Sequence, residues 1–501
     1  MIDFVQLGPK PPKSNGMFAP FRYRAIGDDV LLTNMLGDWV FVTRDEFLAM
    51  AKGEVGVGSS LYEKLAERNF IRDKVDVAKA AERFAYKKRF LNYGPNLHAM
   101  VVTLRCNETC VYCHAARADM SQVETDMTPE IAEKAVDLAL QTTSPGVTIE
   151  FQGGEPLVNF EVVKHIVKYA QQRNRAYGKH LEFTMVSNLA LMDEAKLKFL
   201  LDNKVQICTS IDGPEKLHNK QRVLAGGNAF QEAVKWIRRI NREYENLGLD
   251  PILYHVEALL TTTRSLLPYP KEVVDTYVEL GCRAIFIRPV DPFGWAERAE
   301  KIVEYPRSDY MKFYRTATDY ILELNKQGVQ VLERYAAIFL TKILTDDDPN
   351  FLDVRSPGGA GIGQLAYSYD GKIFTSDEGR MLYATGDSTF QIGDVRTSTY
   401  RELMMHPTVR SLTLASNLNV QPDCVNCTYN PYCGIVPEQA YRTQGSIFGR
   451  MRENQLCMVH KGIQDYLFNL LRDNDPQTVE ILKRWTTIRP RTHFIQASAA
   501  S

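Results

Sequence analysis

Between His98 and Pro289 six short β-rich runs, AMVVTL, VTIEFQ, EFTMVS, VQICTS, YHVEALL and RAIFIRP, alternate with amphipathic helical stretches such as PEIAEKAVDLALQ. This alternation constrains the fold more than any other feature. Six successive β/α units imply a parallel sheet, and right-handed crossovers curl such a sheet into an open barrel. The reactive site of a parallel barrel lies at the C-terminal ends of its strands, so residues just after each run are the ones to inspect.

The flanking sequence has a different character. From Phe21 to Phe70, three alternating runs (FRYRAI, DVLLTN, DWVFVT) separated by Gly-containing turns predict a three-stranded meander. Thr43 and Ser60 then read as N-caps of two short helices. A basic stretch from about Asp76 to Leu91, with Lys79, Arg83, Lys87, Lys88 and Arg89, reads as a solvated linker helix. Helical periodicity dominates Glu304 to Thr345, and turns and cysteines dominate from Asn350 onward. The expected units are an N-terminal module (1–75), a linker helix (76–97), the barrel (98–300), a helical connection (301–349), a cysteine-rich domain (350–470) and a C-terminal helix and tail (471–501). The expected fold class is therefore α/β, a partial (β/α)6 barrel with a small α+β module before it and a cysteine-rich domain after it.

With 501 residues, 45% hydrophobic and 24% charged, and a formal net charge of -1, the chain reads as a multidomain globular protein with no bias toward nucleic acid or anionic membrane. It has no run of 18 apolar residues, and its N-terminus has no basic segment followed by an apolar one, so a cytoplasmic location is expected. Its nine cysteines fall into two tight clusters and two strays, which is unlike a secreted disulfide framework.

The first cluster, Cys106, Cys110 and Cys113 in LRCNETCVYCHAA, follows the first barrel strand. Three thiolates are one short of a closed zinc site, and His114 is too close to Cys113 to complete one without strain; a 4Fe-4S cluster on three thiolates keeps one iron open. At the end of the second strand stand Gly153, Gly154 and Glu155, where backbone can approach a ligand and a carboxylate can meet an ammonium group. The third strand ends in Ser187-Asn188, and the fourth leads into Ser210, Asp212, Gly213, His218 and Arg222. The second cluster, Cys424, Cys427, Cys433 and Cys457, supplies four thiolates, which alone fit either a zinc ribbon or an iron–sulfur cluster.

The C-x3-C-x2-C loop, with aromatic Tyr112 before its last cysteine, resembles that of the radical S-adenosylmethionine (SAM) superfamily. That resemblance implies a catalytic 4Fe-4S cluster on Cys106, Cys110 and Cys113, SAM bound at its open iron, and a 5'-deoxyadenosyl radical. It implies cofactor contacts at Tyr112, Gly153, Gly154 and Glu155, ribose or adenine contacts at Ser187, Asn188 and Ser210, and a carboxylate partner in Arg222. The second cluster resembles the SPASM or twitch extension, which adds auxiliary 4Fe-4S clusters. Relative to the full pattern, Pro437 stands where one cysteine is expected, Ser376 where another is, and Ser356 marks a third; Gly371 is in place. The expectation is one auxiliary cluster, with Cys208 and Cys282 as inert core thiols.

The N-terminal module resembles the winged domains that capture leader peptides. Over nearly the whole chain, from FAPFRYRAIGDDVLLTN to HKGIQDYLFNLL, the sequence is similar to the B-type radical SAM maturases of His-Xaa-Ser systems. This implies hydrogen abstraction from a small precursor peptide or protein bearing such repeats, with an electron donor such as flavodoxin or ferredoxin. Similarity to sulfatase-maturing enzymes implies a general base at Asp377. The alternatives are a dehydrogenase acting on a small molecule or a sulfatase, and a zinc-stabilised peptide-binding scaffold without catalysis.

Overall fold

The computed structural model describes residues 16–496; the first 15 residues of the N-terminal module and the last five of the tail lie outside the described residues. Strands β1 (Phe21–Ile26), β2 (Asp29–Asn34) and β3 (Trp39–Thr43) form the expected antiparallel meander. The turn into β2 needs a left-handed residue, and Gly27 supplies it with φ of 60°. Helix α1 (Arg44–Lys52) starts with a reciprocal capping box between Thr43 and Glu46 and stops at left-handed Gly53. Helix α2 (Ser60–Ala66) is capped by Ser59, one residue before the expected Ser60. Val30, Leu32, Val40, Val42, Phe47 and Leu65 make this module's own small core.

Helix α3 (Val77–Lys87) buries none of its residues, as a solvated linker would, but part of its basic run also straps it to the rest of the chain. Arg83 bonds Asp38 and Asp346, Lys87 donates to the Leu36 carbonyl, and Lys88 donates to the Ser356 carbonyl. The basic run thus ties the module to the rest of the chain. Further ties come from Trp39, whose Nε1 donates to the Ile343 carbonyl and whose ring meets Phe468 edge-on at 5.6 Å.

The barrel strands are β4 (Leu97–Thr103), β6 (Gly146–Gly153), β7 (His180–Val186), β8 (Val205–Ser210), β10 (Glu257–Thr262) and β11 (Ala284–Pro289), with the short β5 (Glu108–Cys110) and β9 (Arg222–Leu224) paired outside them. All six predicted runs are strands, and each is parallel to its neighbour in chain order. Two additions were not read from the sequence. A short β12 (Leu332–Glu333) extends the sheet beyond β11, and β13 (Gln364–Tyr367), β14 (Lys372–Phe374) and β15 (Gln391–Asp394) extend it beyond β4. The cysteine-rich region therefore shares the barrel's sheet, through parallel pairing of β13 with β4.

Register sorts the side chains. Phe151, Met185 and Ile207 align across β6, β7 and β8 and are fully buried toward the helices. Their neighbours Glu150, Thr184 and Gln206 align in the next row and line the barrel interior. The helical face is completed by segments such as Phe160–Tyr177, which buries Val163, Ile166, Val167 and Ala170. At about 25 cal/mol per Å² of apolar surface, each large aliphatic side chain there contributes roughly 1.5–3 kcal/mol. No helix among the described residues is long and apolar enough to cross a membrane.

The strap generates a test. The Asp38 carboxylate accepts from Arg83 at 2.9 and 3.3 Å, from Asn69 at 2.9 Å and from Asn34 at 3.2 Å. Burial pushes its pKa up, but the Arg83 and asparagine hydrogen bonds outweigh burial and hold it below the ordinary 3.8. Asp38→Ala should cost about 2–3 kcal/mol in urea unfolding at neutral pH, because it strands several donors. The stabilisation is present above about pH 4 and is lost as pH falls through the depressed pKa, so the gap between parent and variant should narrow on acidification. A gap that is constant with pH would assign the loss to packing instead.

Candidate active site and cysteine centres

The three cysteines of the first cluster sit in a loop that the surrounding chain fixes at several points. Thr103 Oγ1 donates to Asp126 at 2.6 Å and Arg105 Nε donates to the same carboxylate at 2.9 Å, closing the loop on itself. From the second strand's end, Gly154 N donates to the Thr103 carbonyl and Glu155 N to the Arg105 carbonyl. This explains the two glycines. A Cβ at Gly153 would stand 2.2 Å from the Thr103 carbonyl oxygen, and one at Gly154 2.3 Å from that of Leu104. The close approach is to the cysteine loop's own backbone.

Glu155 is buried and joins the loops after the second and third strands. Its Oε1 accepts from Leu157 N at 2.9 Å and Ser187 Oγ at 2.8 Å, and its Oε2 from Asn188 N at 2.7 Å. Burial pushes its pKa up to about 7, against these three donors. Asn188 continues the chain of contacts, donating from Nδ2 to Asn107 at 2.9 Å and reaching Cys106 Sγ at 3.8 Å.

On the other side, β5 pairs with β9 so that Cys110 stands opposite Arg222. The Arg222 guanidinium donates to Asp212 at 3.0 Å, reaches Cys110 Sγ at 3.7 Å and lies over the Tyr112 ring at 5.3 Å. Tyr112 hydroxyl donates to the same Asp212 carboxylate. Arg222 is therefore paired within the protein, beside a cysteine thiol.

The loops that these bonds fix open onto one cavity of about 840 Å³ inside the barrel. Cys106, Cys110, Cys113 and Tyr112 line it; so do Gly153, Gly154, Glu155, Ser187, Asn188, Ser210 and Arg222. Asp377 lines it too, from the cysteine-rich region. Arg380 holds Asp377 Oδ1 at 2.8 Å and donates to the Ala115 carbonyl at 2.9 Å, binding this region to the first cysteine loop. Cys282 is fully buried, as expected of a core thiol, whereas Cys208 corrects the expectation: it faces the cavity, because its place in the register is that of Gln206 and Ser210.

Several cavity residues were missed from the sequence. Arg288 and Asp291 stand at the end of the sixth strand, in RPVDP, a position the barrel rule marks for inspection. Asp353 and Glu378 join them from the cysteine-rich region. Burial, and then the like charges of Asp353 and Glu438, drive Glu378 well above the usual carboxylate range. Gly294 was also unremarked; a Cβ there would stand 2.3 Å from the His114 carbonyl oxygen, and Trp295 N donates to the Cys113 carbonyl.

Cys424, Cys433 and Cys457 gather around a small core with Leu418, Ile435, Ala440 and Met451. Burial, followed by the neighbouring cysteines of the group, pushes the Cys424 thiol up to about 12 and Cys433 well above its ordinary value. In the first loop, burial and then Glu155 push Cys106 up to about 12. Buried thiols crowded like this can all ionise only around a cationic centre, so both donor sets suit metal ligation. Among the described residues, no three Cys, His, Asp or Glu side chains converge enough to hold a single ion. Ser356, Ser376 and Pro437 are engaged otherwise: Ser356 Oγ accepts from Leu418 N, Ser376 Oγ donates to Glu438 and caps the helix Asp377–Ala384, and Pro437 begins the helix Pro437–Gln444.

Comparison with known proteins agrees with this geometry. Residues 100–255 match the family model of the Radical SAM superfamily, whose members use a 4Fe-4S cluster and SAM. The chain is 23% identical over 335 residues to a cysteine-type anaerobic sulfatase-maturating enzyme of Clostridium perfringens, covering 66% of this chain and 84% of that one. Its fold is similar to that of native anSMEcpe with bound AdoMet and Kp18Cys peptide, with a TM-score of 0.61 at 20% identity, covering 78% of this chain and 100% of that one. It is also similar to Streptococcus suis SuiB bound to precursor peptide SuiA, with a TM-score of 0.51 at 14% identity, covering 86% and 98% of the two chains.

The buried carboxylate provides a second test. Glu155→Gln places an amide nitrogen against donors that need an acceptor, and should cost about 1–3 kcal/mol of stability in the protein without cofactor. Hydrogen exchange at the Leu157 and Asn188 amides should accelerate. Unchanged stability and exchange would show that Glu155 does not hold these loops together.

Proposed function

We propose that this chain, whose barrel is a radical SAM domain, modifies a ribosomally made peptide or protein by hydrogen abstraction. One observation carries the reading: the cysteine loop, the Gly-Gly-Glu turn, Ser187-Asn188, Ser210, Arg222 and Asp377 all open onto a single cavity large enough for a cofactor and a substrate side chain. Cys106, Cys110 and Cys113 would hold the catalytic cluster. When bound, that cluster supplies the electron that cleaves SAM to a 5'-deoxyadenosyl radical. The protein's residues do the rest. Glu155, Ser187 and Asn188 present acceptors and donors to the amino acid and ribose parts of the cofactor, and Ser210 adds a hydroxyl from the fourth strand. Asp212 orients both Tyr112 and Arg222, and Arg222 keeps a positive charge beside Cys110. The barrel walls and the cysteine-rich region enclose the site from several sides.

Asp377 acts as general base in this reading. Arg380 fixes its Oδ1, and among the described residues no hydrogen bond engages Oδ2, which can accept a proton from substrate. Cys424, Cys427, Cys433 and Cys457 hold one auxiliary 4Fe-4S cluster; the hydrogen-bonded roles of Ser356 and Ser376, and the helix start at Pro437, support one such cluster over two. An electron donor of the flavodoxin or ferredoxin kind supplies the reducing equivalents.

The substrate is read as a small precursor peptide, with His-Xaa-Ser repeats as the sequence resemblance implies, captured through the N-terminal module. Fold similarity to proteins solved with the Kp18Cys and SuiA peptides supports a peptide partner. Similarity to the Clostridium perfringens enzyme favours a second reading, oxidation of a sulfatase side chain. Mass spectrometry after anaerobic incubation with each substrate class separates the two.

Reconstituted protein should hold about eight irons and eight sulfides. Replacing Cys106, Cys110 and Cys113 together by Ala should leave about four and abolish deoxyadenosine formation. A count near twelve would overturn the single auxiliary cluster.

A further inference from the structure

The loop carrying Cys424, Cys427 and Cys433 is held from outside by the N-terminal module. Arg22, on β1, donates from Nε to the Val425 carbonyl at 2.7 Å, between the first two cysteines. Thr33, on β2, donates from Oγ1 to the Thr428 carbonyl at 2.7 Å, just after Cys427. The Tyr432 hydroxyl, one residue before Cys433, donates to the Gly37 carbonyl at 3.0 Å. Both inter-cysteine segments are therefore anchored to the same small sheet. Tyr429, Tyr432 and Phe468 are fully buried beneath it, with Tyr429 stacked on Phe468 at 5.8 Å.

Two arginines of β1 face this loop, and they differ in one respect. Arg24 is committed to Asp465 by two bonds of 2.8 Å, so its charge is balanced. Half-buried Arg22 pairs with no carboxylate among the described residues, and its bond to the Val425 carbonyl places this unbalanced charge beside the segment between Cys424 and Cys427. A cluster bound by four thiolates carries net negative charge and would balance it.

We propose that Arg22 is a positioning residue of the second cysteine centre: it fixes the Val425 segment, and its charge raises the reduction potential of the cluster held there. The proposal rests on the reading of Cys424, Cys427, Cys433 and Cys457 as cluster ligands. A positive charge favours the more negative, reduced form, and the effect is strong where water is partly excluded. The module that is proposed to capture the peptide would thereby also set the electron affinity of the auxiliary cluster.

The test uses the full chain with Cys106, Cys110 and Cys113 replaced by Ala, so that only the second centre reports. Its midpoint potential and EPR signal are followed in a redox titration. Arg22→Gln keeps a donor for Val425 but removes the charge; it should lower the potential and alter the signal. Arg22→Lys should restore most of the potential. Arg44→Gln, on the same module but bonded to the Gly27 carbonyl, should titrate with the parent. If the parent background holds no cluster, the ligand reading fails and the proposal with it. If the cluster is present but Arg22→Gln titrates at the parent's potential, or Arg44→Gln shifts it equally, the role of Arg22 is refuted while the ligand reading stands.

Discussion

The site depends on a carboxylate buried where three strand ends meet. Glu155 accepts from the loop that follows it and from the loop after the third strand, while its own backbone nitrogen donates into the cysteine loop after the first. Such a group is costly to bury alone; three donors offset that cost, and together they make the arrangement specific. Because Asn188 extends from Glu155 to Asn107 and Cys106, the position of the first cysteine depends on a residue two strands away. The glycines before Glu155 are part of the same device, since side chains there would collide with the carbonyls that receive its neighbours' hydrogen bonds.

A second constraint is the polarity of the barrel interior. Parallel strands buried on both faces usually read as continuous apolar runs. Here one row, with Phe151, Met185 and Ile207, faces the helices, while Glu150, Thr184 and Gln206 face inward. The inner row leaves a cavity with polar walls instead of a packed core. Carboxylates and guanidiniums from the cysteine-rich region, Asp353, Asp377, Glu378 and Arg380, complete it from one side. Because β13 pairs with β4, that region is an extension of the barrel sheet, and its acidic groups are fixed relative to the cysteine loop.

The N-terminal module is likewise built into the whole. The strap helix bonds Asp346, Trp39 bonds the Ile343 carbonyl, and Arg22, Thr33 and the Gly37 turn all bond the cysteine loop between Val425 and Tyr432. Removing the module would uncover Tyr429, Tyr432 and Phe468 along with the cysteine loop they support. In the proposed reading, recognition and cluster support fall to the same module, and substitutions separate the two more cleanly than truncation does.

Local pattern made much of this legible. The period-two runs and the helical stretches between them located all six barrel strands, because these signals are written in neighbouring residues. The cap at Ser59 was missed by one position, since adjacent serines offer the same hydroxyl and only the backbone angle distinguishes them. The sequence alone determined the fold class and part of the set of residues gathered around the cavity. Tertiary structure decided what others do: that Gly153 and Gly154 make room for backbone, that Arg222 is already paired with Asp212, and that Arg83, Lys87 and Lys88 are bonded across the chain. Those outcomes rest on contacts between residues 10 to 268 positions apart, and no local pattern encodes which partner will arrive.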